Sequence, residues 1–279
     1  MPNTTTTEIQ NRKGARKMSE VPEEVIKLMN LGEIESINLM EFLHFNHEKL
    51  VENTFNRLKL SKYITPITTQ LKKYENDTVI KKVPLVSKWI FEQVNDKKER
   101  IRIINLFKKQ TSDMLRCYAC FGIQMENAFS LEDKFEMIFD FANDHNAGVR
   151  EYAWMALRPS VIDQLNSSIS ILEKWTAHPS DNIRRFASEI TRPRGVWCKH
   201  INTLKESPHL GLPILSSLNA DSSKYVQDSV ANWLNDASKT QASFVEEICE
   251  EWTKEKPTPQ TLRIVKRALR SIHKNKLIK

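Results

Sequence analysis

Three stretches of the chain set acids, arginines and tryptophans close together. In Val149-Arg150-Glu151-Tyr152-Ala153-Trp154, Glu151 and Trp154 stand three apart on one helical face, with Arg158 one further turn along. In Thr191-Arg192-Pro193-Arg194-Gly195-Val196-Trp197, Pro193 stops a helix and sets arginines and an indole at its end. In Val230-Ala231-Asn232-Trp233-Leu234-Asn235-Asp236, Asp236 closes another helix. Carboxylates beside aromatic rings suit hydrolysis of a glycosidic bond, whose transition state resembles an oxocarbenium ion that a carboxylate stabilises while aligning water. The plainer roles stay open: Glu151 as an ion-paired surface residue, Asp236 as a turn or cap residue.

Other constellations carry less. Cys117-Tyr118-Ala119-Cys120 has CxxC spacing, but no second pair or nearby His pair completes a zinc site, so packing as two small hydrophobes is the better reading. His44-Phe45-Asn46-His47-Glu48 lacks the i, i+4 spacing of a two-His zinc helix and reads as surface. With 6 glycines and no Gly-rich loop, Rossmann and P-loop architectures are disfavoured, as is an all-β protein. No metal or cofactor is called for. The 4 cysteines are unevenly spaced and no apolar leader or membrane-length apolar run occurs, which fits a reduced cytoplasmic compartment.

Charge is localised. Of the net +7, the stretch from Lys254 to Lys279 carries nine basic residues against Glu255 alone, a local +8 that leaves the preceding part at −1. Such a patch reads either as a phosphate-backbone contact or as a solvated terminal helix with a Lys-rich tail.

These residues must be positioned by helices. Residues 1–20 are polar, Thr-rich and aperiodic and read as a disordered tail. From Pro22-Glu23-Glu24, a good first helical turn, apolar residues recur at helix spacing: Val25, Leu28, Met29, then Phe135, Ile138, Phe139, then Phe244, Ile248, Trp252. Four segments anchored on Val149, Ile183, Val226 and Ile264 align at steps of 34, 43 and 38 residues, with a second helical pattern between them. Helix pairs at a period of about 40 residues predict an all-α, HEAT-like α-solenoid: a curved superhelix of antiparallel helix pairs, forming one domain over 21–279. The pattern weakens before residue 145, although Val79 to Phe107 supplies a further candidate pair. Arg150, Glu151, Arg158, Arg184, Arg185, Arg192, Arg194, Lys266, Arg267 and Arg270 fall on equivalent helices in successive rows. Such rows either track a phosphodiester backbone or bridge neighbouring repeats.

The segment Ile183-Arg184-Arg185-Phe186-Ala187-Ser188-Glu189-Ile190-Thr191-Arg192-Pro193-Arg194-Gly195-Val196-Trp197, followed by Tyr225-Val226-Gln227-Asp228-Ser229-Val230-Ala231-Asn232-Trp233-Leu234-Asn235-Asp236-Ala237-Ser238-Lys239, resembles the AlkC branch of the AlkD-like HEAT-repeat DNA alkylation-repair glycosylases. The resemblance covers about 145–271. It implies a monofunctional glycosylase that removes cationic N-alkylated bases, of 3-methyladenine or 3-methylcytosine type, from double-stranded DNA. The implied partner is DNA with alkylated bases, with no membrane, and the implied state is a monomer in a bacterial cytoplasm, at the nucleoid. By the same resemblance Glu151 and Asp236 would be the catalytic carboxylates. Trp197, Arg192 and Arg194 would contact lesion or phosphate, Lys239 the backbone, and Trp154 and Arg158 would lie beside the lesion. Lys266, Arg267 and Arg270 of the basic stretch would grip DNA. The C-terminal β-sandwich domain that some branch members carry is not expected.

Overall fold

The computed structural model describes Ile9, residues 11–195 and residues 197–277, with side chains as far as 274. Residues 1–8 and 10 of the Thr-rich start, Val196, the Lys276 side chain and Lys279 lie outside the described residues. Every regular element among the described residues is helical. In chain order the α-helices are α1 (Glu23–Asn30), α2 (Leu39–Phe42), α3 (His47–Phe55), α4 (Ile64–Lys72), α5 (Val79–Phe91), α6 (Lys97–Lys108), α7 (Asp113–Gln124), α8 (Leu131–Ala142), α9 (Ala147–Asp163), α10 (Leu165–Trp175), α11 (Asp181–Ile190), α12 (Asn202–Glu206), α13 (Leu212–Ser217), α14 (Lys224–Ala237), α15 (Ala242–Thr253), α16 (Pro259–Ala268) and α17 (Arg270–Leu277). No helix among the described residues is long and apolar enough to cross a membrane. The chain divides into two compact units, Met1–Ser130 with Asp144–Ala156 and Leu131–Asn143 with Leu157–Lys279, where one domain over 21–279 is expected from sequence.

In the first unit α1 starts where the sequence places it, with Pro22 extended at the N-cap and Glu23 and Glu24 in the first turn, near the positive helix end. The pair foreseen over Val79–Phe107 forms as α5 and α6, and both pack on α7. Gly122 permits that approach, since a Cβ there would overlap the Phe91 ring. In the second unit α14 lies between α11 and α16. Phe135, Phe139 and Phe186 surround Trp175, with ring centroids 5.1–5.5 Å apart.

The four sequence anchors Val149, Ile183, Val226 and Ile264 are all fully buried. The residue after each of the first three performs one recurring task. Arg150 Nη1 donates to the Asp144 and His145 carbonyls at 2.7 and 2.9 Å. Arg184 Nη1 donates to those of His178 and Pro179 at 2.9 and 2.8 Å. Gln227 Nε2 donates to the Asp221 carbonyl at 2.7 Å. Arg116, after the buried Leu115, repeats the pattern on Gln110 and Thr111 at 2.9 and 2.7 Å, which adds a repeat upstream of residue 145. Each side chain reaches back five or six residues to turn carbonyls that precede its own helix, and a planar multi-donor group is suited to that. Arginines also bridge repeats: Arg184 Nε meets Asp221 at 2.6 Å, and Arg263 and Arg267 share Asp228 at 2.7 and 3.0 Å. Arg185 stacks over Tyr225, 4.5 Å from the ring centroid. These arginines bridge neighbouring repeats in the folded chain.

Two expectations are corrected. Residues 11–20 are not a loose tail: Arg12 donates to both oxygens of the fully buried Glu41 at 2.9 and 2.6 Å, because that carboxylate needs a counter-ion away from water. His47 is buried rather than on the surface. Its Nε2 donates to the Val79 carbonyl at 3.0 Å and its Nδ1 accepts from the Tyr118 hydroxyl, and burial lowers its pKa to about 4. Cys117 and Cys120 are buried as two small hydrophobes, and burial pushes both thiols well above the usual range.

Asp113, fully buried at the start of α7, accepts from the Ser36 hydroxyl. Burial raises its pKa to about 6, against the opposing pull of Ser36 and Arg116. The folded chain therefore holds this proton up to about pH 6, whereas an unfolded aspartate releases it near pH 4. Its contribution to stability declines as pH rises through that window and stays low above it. Asp113→Asn should thus exceed the wild type in unfolding free energy at pH 7.5, by about 3 kcal/mol. At pH 4.5 the difference should narrow to about 1 kcal/mol; denaturant titrations at both values check this, with the His47 contribution common to both proteins.

Candidate functional site

The motif after α11 builds an unusual loop. The helix ends at Ile190 and Pro193 supplies no backbone N–H, so the chain turns away from helical geometry. Arg158 then organises the turn from beneath. Its Nε donates to the Lys199 carbonyl at 2.8 Å, and its two Nη atoms donate to those of Ile190 and Arg192 at 2.6 and 2.5 Å. Burial holds this guanidinium below its ordinary pKa, and the residue is only 1% exposed. Gly195 is required because a Cβ there would overlap Cys198 and crowd the Arg158 guanidinium. At the tip Trp197 is 79% exposed and sits at φ +64°, a left-handed conformation that costs a tryptophan about 1–2 kcal/mol.

Under this loop, α14 presents Asp236, 5% exposed. Arg192 donates to Asp236 Oδ2 through Nε at 2.9 Å and Nη2 at 2.8 Å, while Lys239, half exposed, meets Oδ1 at 3.3 Å. Arg194 Nε donates to the Asp236 carbonyl at 3.2 Å. One carboxylate oxygen is thus fixed by a rigid guanidinium, and the other faces a flexible lysine that can move aside.

Glu189, which the sequence reading does not nominate, fixes Arg192 in turn. It accepts from Arg192 Nη1 at 2.8 Å and from the Ser229 hydroxyl at 2.7 Å, and it lies 3.5 Å from Arg185. Burial would raise its pKa, but Arg185, Arg192 and Ser229 more than offset that and hold the carboxyl below its usual range. Its available signal was the i, i+3 spacing of Glu189 and Arg192 within the recognised motif.

The structure therefore brings Asp236, Arg192, Arg194 and Lys239 together in the second unit. Glu151 lies in the first unit, where its Oε2 accepts the Trp154 indole N–H at 2.8 Å. Trp154 and Arg158 do not meet solvent as lesion contacts would. Trp154 is 3% exposed and orients Glu151, and Arg158 spends its donors on the loop backbone. Arg192 is likewise committed, to two carboxylates rather than to phosphate. On the basic stretch Lys266, Arg267 and Arg270 are all exposed, with Arg267 near Asp228 and Arg270 donating to Asn232 Oδ1 at 2.9 Å.

No protein-family model matches the chain. It is 40% identical over 119 residues to the uncharacterized protein YhaZ of Bacillus subtilis, a match covering 43% of this chain and 33% of YhaZ. Its structure is similar to the Pseudomonas fluorescens alkylpurine DNA glycosylase AlkC bound to DNA containing an abasic-site analog, with TM-score 0.64 and 21% identity over 93% of this chain and 66% of AlkC. AlkD2 of Streptococcus mutans is similar at TM-score 0.57 and 22% identity, over 68% of this chain and 88% of AlkD2. The chain thus spans about two thirds of AlkC and a third of YhaZ. What the sequence motifs and the coordinates have in common is one architecture: the chain carries the helical-repeat fold of AlkC and AlkD2.

Proposed function

We propose that the protein is a DNA glycosylase that hydrolyses the N-glycosidic bond of cationic N-alkylated bases, of 3-methyladenine or 3-methylcytosine type, in duplex DNA. The observation that supports it best is Asp236, gripped through one oxygen by Arg192, beneath the exposed Trp197. Alkylation of a ring nitrogen gives the base a positive charge, so it departs with the bonding electrons as a neutral molecule and needs no strong acid. Asp236 stabilises the positive charge that develops on the deoxyribose, Glu151 is the second carboxylate, and water adds at C1′ with loss of its proton. The Trp197 indole face attracts a cationic base in preference to a neutral one. The protein acts as a monomer in the cytoplasm, at the nucleoid, without metal or cofactor. The test is incubation with methylated duplex DNA, resolving adenine from cytosine products: free methylated base without strand cleavage is expected, and no release sinks the reading.

A second reading, a non-catalytic DNA-binding relative, draws on the same ion pairs, because an aspartate satisfied by Arg192 and Lys239 also serves as a structural brace. Both readings require the basic stretch to hold phosphates, which a protein-binding scaffold does not. Lys266→Ala with Arg270→Ala should weaken DNA binding equally for all sequences and reduce the slope of log K against log[salt] by about 2. An unchanged slope would leave a solvated terminal helix.

A further inference from the structure

The stretch Asn11-Arg12-Lys13-Gly14-Ala15-Arg16-Lys17 carries four cations in seven residues, yet it is laid down as a strap on the first unit. Arg12 provides the inward anchor, bonded to both oxygens of Glu41 and at 2.7 Å to the Glu35 carbonyl. The Ala15 carbonyl accepts from Asn38 Nδ2 at 2.8 Å, and the Met18 carbonyl accepts from His44 Nε2 at 2.9 Å. Gly14, at φ +72°, lets the backbone lie against Asn38, where a Cβ would overlap the side-chain amide. With the backbone pinned in register, Lys13, Arg16 and Lys17 are left exposed. Of these three, only Lys17 has an ion pair among the described residues, a solvent-exposed one with Glu20 at 3.6 Å.

Ordering this segment costs backbone entropy and sets like charges side by side. The Arg12–Glu41 pair explains why the strap is held but asks nothing of the other three cations. Their fixed outward array makes sense against a polyanion. Two clefts adjoin it. One of about 540 Å³ sets Lys108 and Lys109 against Glu33, Glu35 and Asp144, and one of about 510 Å³ has Lys13, Arg16 and Asn38 on its walls. A ridge of phosphates can enter the second, which is edged by cations and lined by no carboxylate, and the strap itself contains no large apolar side chain to enter a bilayer. We propose that this strap is a second phosphate-backbone contact, in which Lys13, Arg16 and Lys17 bind nucleic acid independently of the basic C-terminal stretch. The proposal rests on the DNA-binding reading above. Exposed Met18, Ile37 and Leu39 flank the strap, so an anionic lipid surface is the alternative that the test must include.

The experiment compares the full-length wild type, Lys13→Ala/Arg16→Ala/Lys17→Ala, and Lys266→Ala/Arg270→Ala. Fluorescence anisotropy with a short duplex is measured between about 50 and 200 mM salt. The strap variant should unfold at the wild-type temperature, since the three side chains are exposed. It should bind about 10-fold or more weakly at low salt, with a salt slope smaller by about 2–3, on top of the loss in the C-terminal variant. A strap variant with the wild-type slope overturns the strap contact and leaves the DNA-binding reading standing. A wild type without salt-dependent duplex binding overturns both. Vesicles of phosphatidylcholine with phosphatidylserine form the third arm: loss of vesicle binding in the strap variant, with duplex binding intact, overturns the proposal in favour of a membrane contact.

Discussion

Asp236→Asn should lose base release by about 100- to 1,000-fold, the scale on which one preorganised electrostatic contact to a developing charge acts. Binding to a duplex with an abasic-site analog should stay within a few-fold of wild type. The asymmetry of the carboxylate's contacts is the reason. Both Arg192 donors fall on Oδ2, and a carboxamide oxygen in that place still accepts them, so the loop geometry survives. Oδ1 is the oxygen that changes character. Among the described residues it faces Lys239 alone, at 3.3 Å, and can approach a cationic sugar once that lysine moves. An amide nitrogen there presents the wrong partial charge. Arg192 keeps an anionic partner in Glu189, so stability should change little. Full activity in single-turnover base release would remove Asp236 from the chemistry and leave the structural brace as its role. Loss of activity with an unfolding temperature far below wild type would instead mark a folding defect, which the thermal melt separates.

The contrast between what could and could not be read from residue types has a physical cause. Apolar periodicity reports directly on burial, so the helices and all four repeat anchors, Val149, Ile183, Val226 and Ile264, emerge at the right positions. The motif around Arg192, Arg194 and Trp197 folds as the loop that follows α11. Polar side chains are harder, because a residue's type does not say where its donors point. Arg158 and Trp154 look like ligand contacts in a motif of acids and indoles, but one donates to three carbonyls and the other to Glu151. Arg116 occupies a repeat position, after a Thr-Ser-Asp turn resembling the Pro-Ser-Asp before Asn182. It escapes notice because its helix is buried nearly all round, so no single apolar stripe marks the register of the repeat. Glu41 and Arg12 are 29 positions apart, and only the fold reveals that a Thr-rich start leads into a pinned strap.

Arg158→Ala should be the most destabilising single change in the second unit. The guanidinium satisfies three carbonyls around one loop, that of Ile190 buried and those of Arg192 and Lys199 part-buried, and its removal leaves them without donors and opens a space beside Gly195. Charge-assisted bonds contribute roughly 1.5–3 kcal/mol each, and recovery of the arginine's own desolvation cost offsets part of that. A net loss of about 3–5 kcal/mol follows, a fall of roughly 10 °C in the unfolding temperature for a chain of this size. Arg158→Lys keeps the charge, but one ammonium cannot span carbonyls of Ile190, Arg192 and Lys199 with the fork geometry of a guanidinium, so it should recover less than half. Because the loop carries Trp197 and Arg192, base release should fall with loop order. Trypsin should then cut the native protein at Arg192, Arg194 or Lys199 faster than the wild type. The salt slope of DNA binding should not move, since no phosphate contact is lost. A variant with wild-type stability and protease resistance but a shallower salt slope would show the reverse: an arginine that leaves the backbone carbonyls to bind DNA.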